Sequence, residues 1–192
     1  MSRLLFLITS FTVTMLTISD RLLANPKGDF QTWLSGVRVE AIKSGIRPNV
    51  VDRLLTNVQL NRRVIKKDRN QAEFKLTLST YRQRVVTPAT VSAGRNKGLK
   101  HQTLLKEVSK KYGVQPRFIL AIWGIETRYG AVKANIPLVS SLATLAYDAR
   151  RSKFFRKQLF DTLQMVNKGY IGPESLFGSW AGAMGQPQFI PS

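Results

Sequence analysis

The chain has 192 residues, of which 43% are hydrophobic, so it can fill one core of ordinary size, which argues against global disorder. Thirty Lys and Arg against eleven Asp and Glu give a formal charge of +19, which indicates either an anionic partner (nucleic acid, an anionic membrane face or an acidic wall polymer) or simply a basic, soluble surface. The chain has no cysteine, which excludes disulfides, thiolate metal sites and a cysteine-linked lipid anchor. A single histidine, His101, leaves little for a histidine-based zinc site or a Ser-His-Asp triad. We therefore expect no cofactor and no metal centre, whereas carboxylate chemistry is still available.

The first 24 residues have the pattern of an export signal. Arg3 gives a positive start, residues 4–18 form an apolar segment, and Ala24 precedes a plausible cleavage point at Asn25. The apolar segment is short for a membrane span of about 20 residues, although an uncleaved anchor is the alternative. Export predicts a periplasmic protein and argues against a nucleic-acid partner.

In the first half of the chain, apolar residues at helical spacing predict two helices. The first begins at Phe30 and ends before Gly45, and the second runs from Asn49 to about Asn57. The charged stretch 61–74 is predicted to be a solvated connector. Residues 74–86 fit either a helix or an extended arm.

The second half is predicted to be helical as well, after a turn at Pro88 and a loop at 94–98. Helical spacing returns over residues 102–112, where Gly113 ends the helix, and Pro116 is suited to the first turn of the next. The predicted helices of this half are 102–112, 116–130, 139–147 and 154–166, followed by a glycine-rich tail. Without repeats or an alternating strand series, the sequence predicts a mainly α fold.

One acidic residue, Glu126, lies in an apolar stretch, AIWGIETRYG. We expect its apolar neighbours to enter the core and bury the carboxylate at a cost of several kcal/mol unless it is paired or protonated. Burial and the nearby helix C-terminus would both raise the pKa of Glu126, and a protonated acid suits general-acid catalysis on a glycosidic oxygen. The alternative, favoured by spacing alone, is a structural glutamate bonded to Arg128, Arg150, Arg151 or backbone donors.

The tail GSWAGAMGQPQFIPS combines small residues, aromatic rings and amides. Its glycines allow close approach to the backbone, Trp180 and Phe189 offer aromatic faces, and Gln186 and Gln188 offer hydrogen bonds. This mixture suits neutral sugars, but tight packing or a plain loop would have the same composition.

A third segment, ATLAYDARRSKFF, places basic residues among aromatic ones. The residues concerned are Tyr147, Arg150, Arg151, Lys153, Phe154 and Phe155. They could stack on single-stranded nucleic acid, or they could belong to a helix with one core face and one solvated face, which is the commoner outcome.

These three segments, in this order and spacing, resemble the lytic murein transglycosylase B family. FQTWL, RNQAEF and KKYGVQPRFILA fit the same family, so the resemblance covers about residues 30–192. It implies a helical lysozyme-like fold with a signal peptide (1–24), an N-terminal helical part (25–98) and a catalytic core (99–192). It also implies cleavage of peptidoglycan between N-acetylmuramic acid and N-acetylglucosamine with formation of a 1,6-anhydro end. The expected partners are peptidoglycan glycan strands. An enzyme of this kind could also contact other cell-wall enzymes.

The resemblance also assigns the site residues and changes the interpretation of Glu126 from structural to catalytic, as the single acid and base. The residues that match substrate-binding positions are Ser179, Gln188, Phe189, Phe154 and Tyr81. Phe154 stands where the family has a groove tyrosine, so one hydroxyl contact is absent.

Family members continue past QFIPS, whereas this sequence ends at Ser192. We therefore expect Trp180, Phe189 and Ile190 to be partly exposed, and this form to be weakly active. Two rival functions are a wall-binding module that holds glycan without cutting it and a basic nucleic-acid-binding protein.

Overall fold

The computed structural model describes residues 29–71 and 76–192. Its helices are α1 Phe30–Lys43, α2 Pro48–Leu55, α3 Arg62–Arg69, α4 Leu78–Val85, α5 Pro88–Lys100, α6 Gln102–Tyr112, α7 Pro116–Thr127, α8 Leu138–Tyr147 and α9 Ser152–Asn167. Two short strands, β1 (Ile136–Pro137) and β2 (Phe177–Gly178), pair antiparallel. The mainly α prediction is confirmed. The predicted export signal lies outside the described residues, and no described helix is long and apolar enough to cross a membrane.

The buried core joins the first three helices to α8 and α9. Most of α8 is buried, and α9 packs along it with Phe155, Leu159 and Leu163. The predicted apolar spacing of the first helix is confirmed, because Phe30 and Leu34 are among its buried residues. The four helices predicted between residues 102 and 166 are confirmed too, within a few residues at each end.

The predicted solvated connector is wrong, because most of it forms α3. The Asn61 side chain accepts hydrogen bonds from the backbone N–H groups of Arg63 and Val64 and so caps the helix. Only Val64 and Asp68 are buried in this helix. One of these two inward positions is a carboxylate, so the apolar periodicity that predicts a helix is missing.

The predicted loop at 94–98 is also wrong, because these residues lie inside α5. The two glycines allow close packing of helices here. A Cβ on Gly94 would collide with the Tyr129 side chain, and one on Gly98 would lie 3.1 Å from Leu120 Cδ1. The predicted domain boundary after residue 98 lies within this helix and remains a prediction. Of the two alternatives for 74–86, the helix is confirmed over Leu78–Val85.

Helix α7 carries Glu126 and ends three residues earlier than predicted. Arg128, Tyr129 and Gly130 have φ values of 50°, 60° and 81°, so three successive left-handed residues end the helix sharply. The expectation that this helix enters the core is wrong, since none of its residues belongs to the buried core formed by the described residues. Ile122 and Ile125 are exposed, because α7 packs mainly on α5 and α6.

Candidate active site

A cavity of about 190 Å³ lies between the end of α7, the loop that follows it, the end of α3 and the segment 178–188. Its lining residues are Lys67, Glu126, Thr127, Val132, Lys133, Ala134, Asn135, Ile136, Gly178, Ser179, Trp180 and Gln188. Three residues assigned by the resemblance, Glu126, Ser179 and Gln188, therefore lie around one cavity although they are separated in sequence.

Glu126 occupies the last turn of α7 and is exposed, so its expected burial is wrong. The structural alternative is not realised either. Glu126 forms no hydrogen bond or ion pair with any other residue that the structure describes, and Arg150 and Arg151 bind Asp68 instead. Glu126 therefore lines the cavity with a carboxylate that bonds to no residue in the described part of the chain.

Most other acidic side chains in the described part of the chain are engaged elsewhere. Asp148 pairs with Arg69, and Asp161 pairs with Lys157. The further ion-paired acids are Glu40, Asp52, Asp68 and Glu174. Apart from Glu126, no carboxylate from the described ranges 29–71 and 76–192 lines the cavity. A pair of carboxylates flanking one bond, as ordinary glycosidases require, is therefore absent among the cavity's lining residues.

Asp68 anchors the end of α3 to the junction between α8 and α9. Its side chain is 1% exposed and accepts hydrogen bonds from Arg150 Nε at 2.7 Å and from Arg151. Burial alone raises the pKa of Asp68, but the hydrogen bonds and charges of Arg151 and Arg150 outweigh it and hold this pKa below its ordinary value. Next in sequence to Asp68, Lys67 reaches the cavity from this anchored turn.

The same junction decides between the two interpretations of the segment ATLAYDARRSKFF. Phe155 is buried at 1% exposure, and Tyr147 packs against Phe30 and Trp33. Two of the three rings, Tyr147 and Phe155, pack into or against the core and the arginines bind Asp68, which leaves Phe154 as the exposed ring of the segment. The commoner alternative, a helix with one core face, is confirmed.

Ser179 lies at the start of the loop that follows β2. Its Oγ accepts hydrogen bonds from the backbone N–H groups of Ala181 (3.3 Å) and Ala183 (3.1 Å), so this oxygen holds the loop closed. This hydroxyl donates no hydrogen bond to any described residue, so its hydrogen is available to a ligand in the cavity. At Gly182 the group that approaches the backbone closely is a side chain of the protein, because a Cβ on this glycine would collide with Leu142 of α8.

The loop 185–188 is fastened to the end of α7. The Trp123 indole N–H donates to Gln186 Oε1 at 2.6 Å, and the Thr127 hydroxyl donates to the Gln186 carbonyl at 3.0 Å. Gly130 packs against the same glutamine side chain, where a Cβ would lie 2.7 Å from Oε1. Gln188 adopts a positive φ of 58° and turns its amide back to the Gly185 carbonyl. These contacts set the position of Gln188 relative to Glu126.

The other residues assigned by the resemblance do not line this cavity. Phe154 lies in the first turn of α9, packs against Phe155 and is half exposed. Phe189 is 73% exposed and Ile190 is exposed too, whereas Trp180 packs against the core. Tyr81 lies on α4. The binding roles of Phe154, Phe189 and Tyr81 remain predictions.

Sequence reasoning missed two cations at the cavity, Lys67 and Lys133. Lys133 follows Glu126 by seven residues, so its nearness could have been inferred from the short loop. No sequence signal points to Lys67, which reaches the site through the long-range packing of α3. Among the described residues, no group of three His, Asp or Glu could hold a metal ion.

The chain belongs to the transglycosylase SLT domain family, whose model matches residues 29–192. It is 37% identical over 113 residues to the membrane-bound lytic murein transglycosylase B of Escherichia coli. The matched region covers 58% of this chain and 31% of that protein. The resemblance inferred from the three segments is confirmed.

Solved structures match the fold as well. SltB3 of Pseudomonas aeruginosa, in complex with NAG-NAM-pentapeptide, has a TM-score of 0.79 and 37% identity over 85% of this chain and 44% of that one. The Escherichia coli lytic transglycosylase Slt35, in complex with bulgecin A, has a TM-score of 0.76 and 28% identity over 90% of this chain and 56% of that one. The helical lysozyme-like fold is confirmed, and the chain spans less than two thirds of the length of these relatives.

Proposed function

We propose that this protein is a lytic transglycosylase that cleaves the β-1,4 bond between N-acetylmuramic acid and N-acetylglucosamine in peptidoglycan. The observation that carries the proposal is the carboxylate of Glu126, which has no partner among the described residues and lies in a cavity shared with Ser179 and Gln188. The structures of SltB3 with NAG-NAM-pentapeptide and with NAG-anhNAM-pentapeptide support the substrate and the anhydro product.

A lytic reaction fits a site with one carboxylate. Glu126, as the acid, gives its proton to the glycosidic oxygen as the bond from that oxygen to C1 of the muramic acid breaks. The sugar's own C6 hydroxyl then attacks C1, and its proton returns to the Glu126 carboxylate. The ring closes as a 1,6-anhydro sugar without adding water, so no second carboxylate has to activate a water molecule.

The other lining residues would bind and orient the sugar. Ser179 uses its oxygen to hold the loop, which leaves its hydroxyl hydrogen free to donate to the glycan. Trp180 supplies an aromatic face at the cavity. Gln188, held in a left-handed turn, would line the groove as the resemblance implies.

The test is mass spectrometry of the fragments released from purified peptidoglycan. The Glu126→Gln variant should release almost no anhydromuropeptides while it still binds glycan. Glu107→Gln is the matched control, because Glu107 is an exposed acid on α6 that lies outside the cavity. Release by Glu126→Gln at the parent's rate would contradict the catalytic role, and reducing ends in place of anhydro ends would contradict the lytic reaction.

A wall-binding module is the second candidate. The exposure of Glu126 favours it, because a lytic reaction has to keep water from attacking C1, whereas water reaches this carboxylate freely. The same experiment separates the two. A parent protein that sediments with peptidoglycan but releases no fragments would support binding without cleavage.

We also propose export to the periplasm, on the basis of Arg3, the apolar segment 4–18 and Ala24. Protein recovered from the periplasm should then begin at or near Asn25. Full-length protein in the cytoplasm would contradict this proposal.

A further inference from the structure

Two lysines on different parts of the chain line the cavity that contains Glu126. Lys67 lies in the last turn of α3, and Lys133 lies in the loop between α7 and β1. Unpaired cations are common on a chain with 30 basic and 11 acidic residues. The distinctive feature is that these two and Glu126 are the charged residues among the described lining of one cavity, and this set has an excess of positive charge.

Neither lysine is neutralised by an acidic residue that the structure describes. Within residues 29–71 and 76–192, no Asp or Glu forms an ion pair with Lys67 or Lys133, although several other exposed cations have such partners. Both side chains are exposed. A ligand in the cavity would therefore meet two ammonium groups that are available for a new contact.

The backbone under both lysines is held in place. Asp68, next to Lys67, is buried under Arg150 and Arg151. On the other side, Val132 donates its N–H to the Thr127 carbonyl at 2.9 Å and so fixes the start of the loop that carries Lys133. The two cations thus project from fixed points beside the carboxylate that the proposed function makes catalytic.

We propose that Lys67 and Lys133 form a subsite for a carboxylate carried by the glycan strand. The inference rests on the proposed function and adds a specificity to it. The strand can supply this carboxylate in two ways: from the lactyl group of N-acetylmuramic acid when the peptide has been removed, or from the stem peptide when it is present. In the second case the lactyl carboxyl is an amide and carries no charge, so the two sources can be separated.

The experiment measures binding in the Glu126→Gln background, where turnover is removed. Three ligands are compared: neutral N-acetylglucosamine oligomers, peptide-free strands with free lactyl groups, and strands with stem peptides. Replacing both lysines with methionine should weaken binding of one or both acidic ligands. The loss should be about two- to five-fold per lysine, the range of an exposed ion pair, and should shrink as salt rises. Binding of the neutral oligomers should be unchanged.

Two controls define the outcome. Lys43→Met with Lys168→Met removes the same charge from exposed positions outside the cavity and should leave the binding of every ligand close to that of the background. Lys67→Arg with Lys133→Arg should retain most of the affinity for the acidic ligands. A loss seen only with peptide-free strands identifies the lactyl group, and a loss seen only with stem-peptide strands identifies the peptide.

The inference would be overturned if the methionine variant lost affinity for neutral oligomers as well, or if the charge-matched control lost as much. It would also be overturned if the methionine variant bound all three ligands like its background. In that last case the proposed function would stand, provided the parent still released anhydro fragments. A parent that neither binds nor cleaves any glycan would instead overturn both.

Discussion

Replacing Asp68 with asparagine removes the negative charge that two arginines share at the end of α3. The carboxylate is 1% exposed and lies within hydrogen-bonding distance of both guanidinium groups. Hydrogen bonds to charged groups contribute about 1.5–3 kcal/mol each to stability. Because the Arg150 and Arg151 side chains are 46% and 40% exposed, water replaces part of the loss. We expect Asp68→Asn to lower the free energy of unfolding by about 2–3 kcal/mol at neutral pH.

The effect should depend on pH in a defined direction. The pKa of Asp68 lies below its ordinary value of 3.8 in the folded protein, so the unfolded chain binds the proton more readily as the pH falls. The stabilisation is therefore complete above about pH 4 and is lost as the pH drops through the folded-state pKa. Asparagine does not titrate, so the difference between parent and Asp68→Asn should narrow in acid.

Urea unfolding at pH 7 and at several values below pH 4 measures this difference, and melting provides a second measure. A loss of 2–3 kcal/mol corresponds to a midpoint lowered by about 4–12 °C for a chain of this size. Asp52→Asn is the control, because its partner Arg38 and Asp52 itself are 30% and 59% exposed, and it should cost less than about 1 kcal/mol. Equal losses for the two variants at pH 7, or a loss for Asp68→Asn that persists in acid, would refute this account of the anchor.

Two further predictions concern the loop beside Glu126. Ser179→Ala removes the acceptor of two backbone hydrogen bonds, so it should lower the free energy of unfolding by about 1–2 kcal/mol and also slow fragment release. Ser179→Thr, which keeps the hydroxyl, is the control. An unchanged melting temperature in the alanine variant would argue against the role of Ser179 in holding the loop. Gln186→Ala and Trp123→Phe each break the 2.6 Å hydrogen bond between the loop and α7; their effects on turnover should be non-additive in a double-mutant cycle, by about 0.5–1.5 kcal/mol, and strict additivity would contradict the contact.

Some helices that the sequence predicts correctly, such as α1 and α8, contribute apolar residues to the common core, whereas α6 and α7 are predicted as well and lie outside it within the described residues. In α1 the residues at helical spacing are the buried ones, whereas α8 is buried along most of its length. The sequence fails to predict α3 and part of α5, where requirements other than a periodic apolar face determine the residues. In α3 an inward position is the carboxylate of Asp68, and in α5 two glycines permit close helix packing instead of forming a loop.

The candidate site was predictable only in part. The resemblance selected Glu126, Ser179 and Gln188, which line one cavity. The burial expected for Glu126 is wrong because an apolar helix can pack on its neighbours outside the main core. Lys67 was not predictable, because it reaches the cavity through contacts that join residues some 80 positions apart, such as Arg150 with Asp68.

The position of Glu126 relative to the rest of the cavity depends on few contacts. Ser179 and Trp180 follow β2, next to the core, and Lys67 is anchored to it through Asp68. Helix α7 contributes nothing to that core within the described residues. Its last turn is instead fastened to the loop by the bonds that Trp123 and Thr127 make with Gln186. A change at Gln186 should therefore alter turnover more than stability. The hydrogen bond from the Trp123 side chain is exposed, so water can replace it and little stability is lost. Water cannot restore the distance between the Glu126 carboxylate and the bound sugar, so turnover should fall.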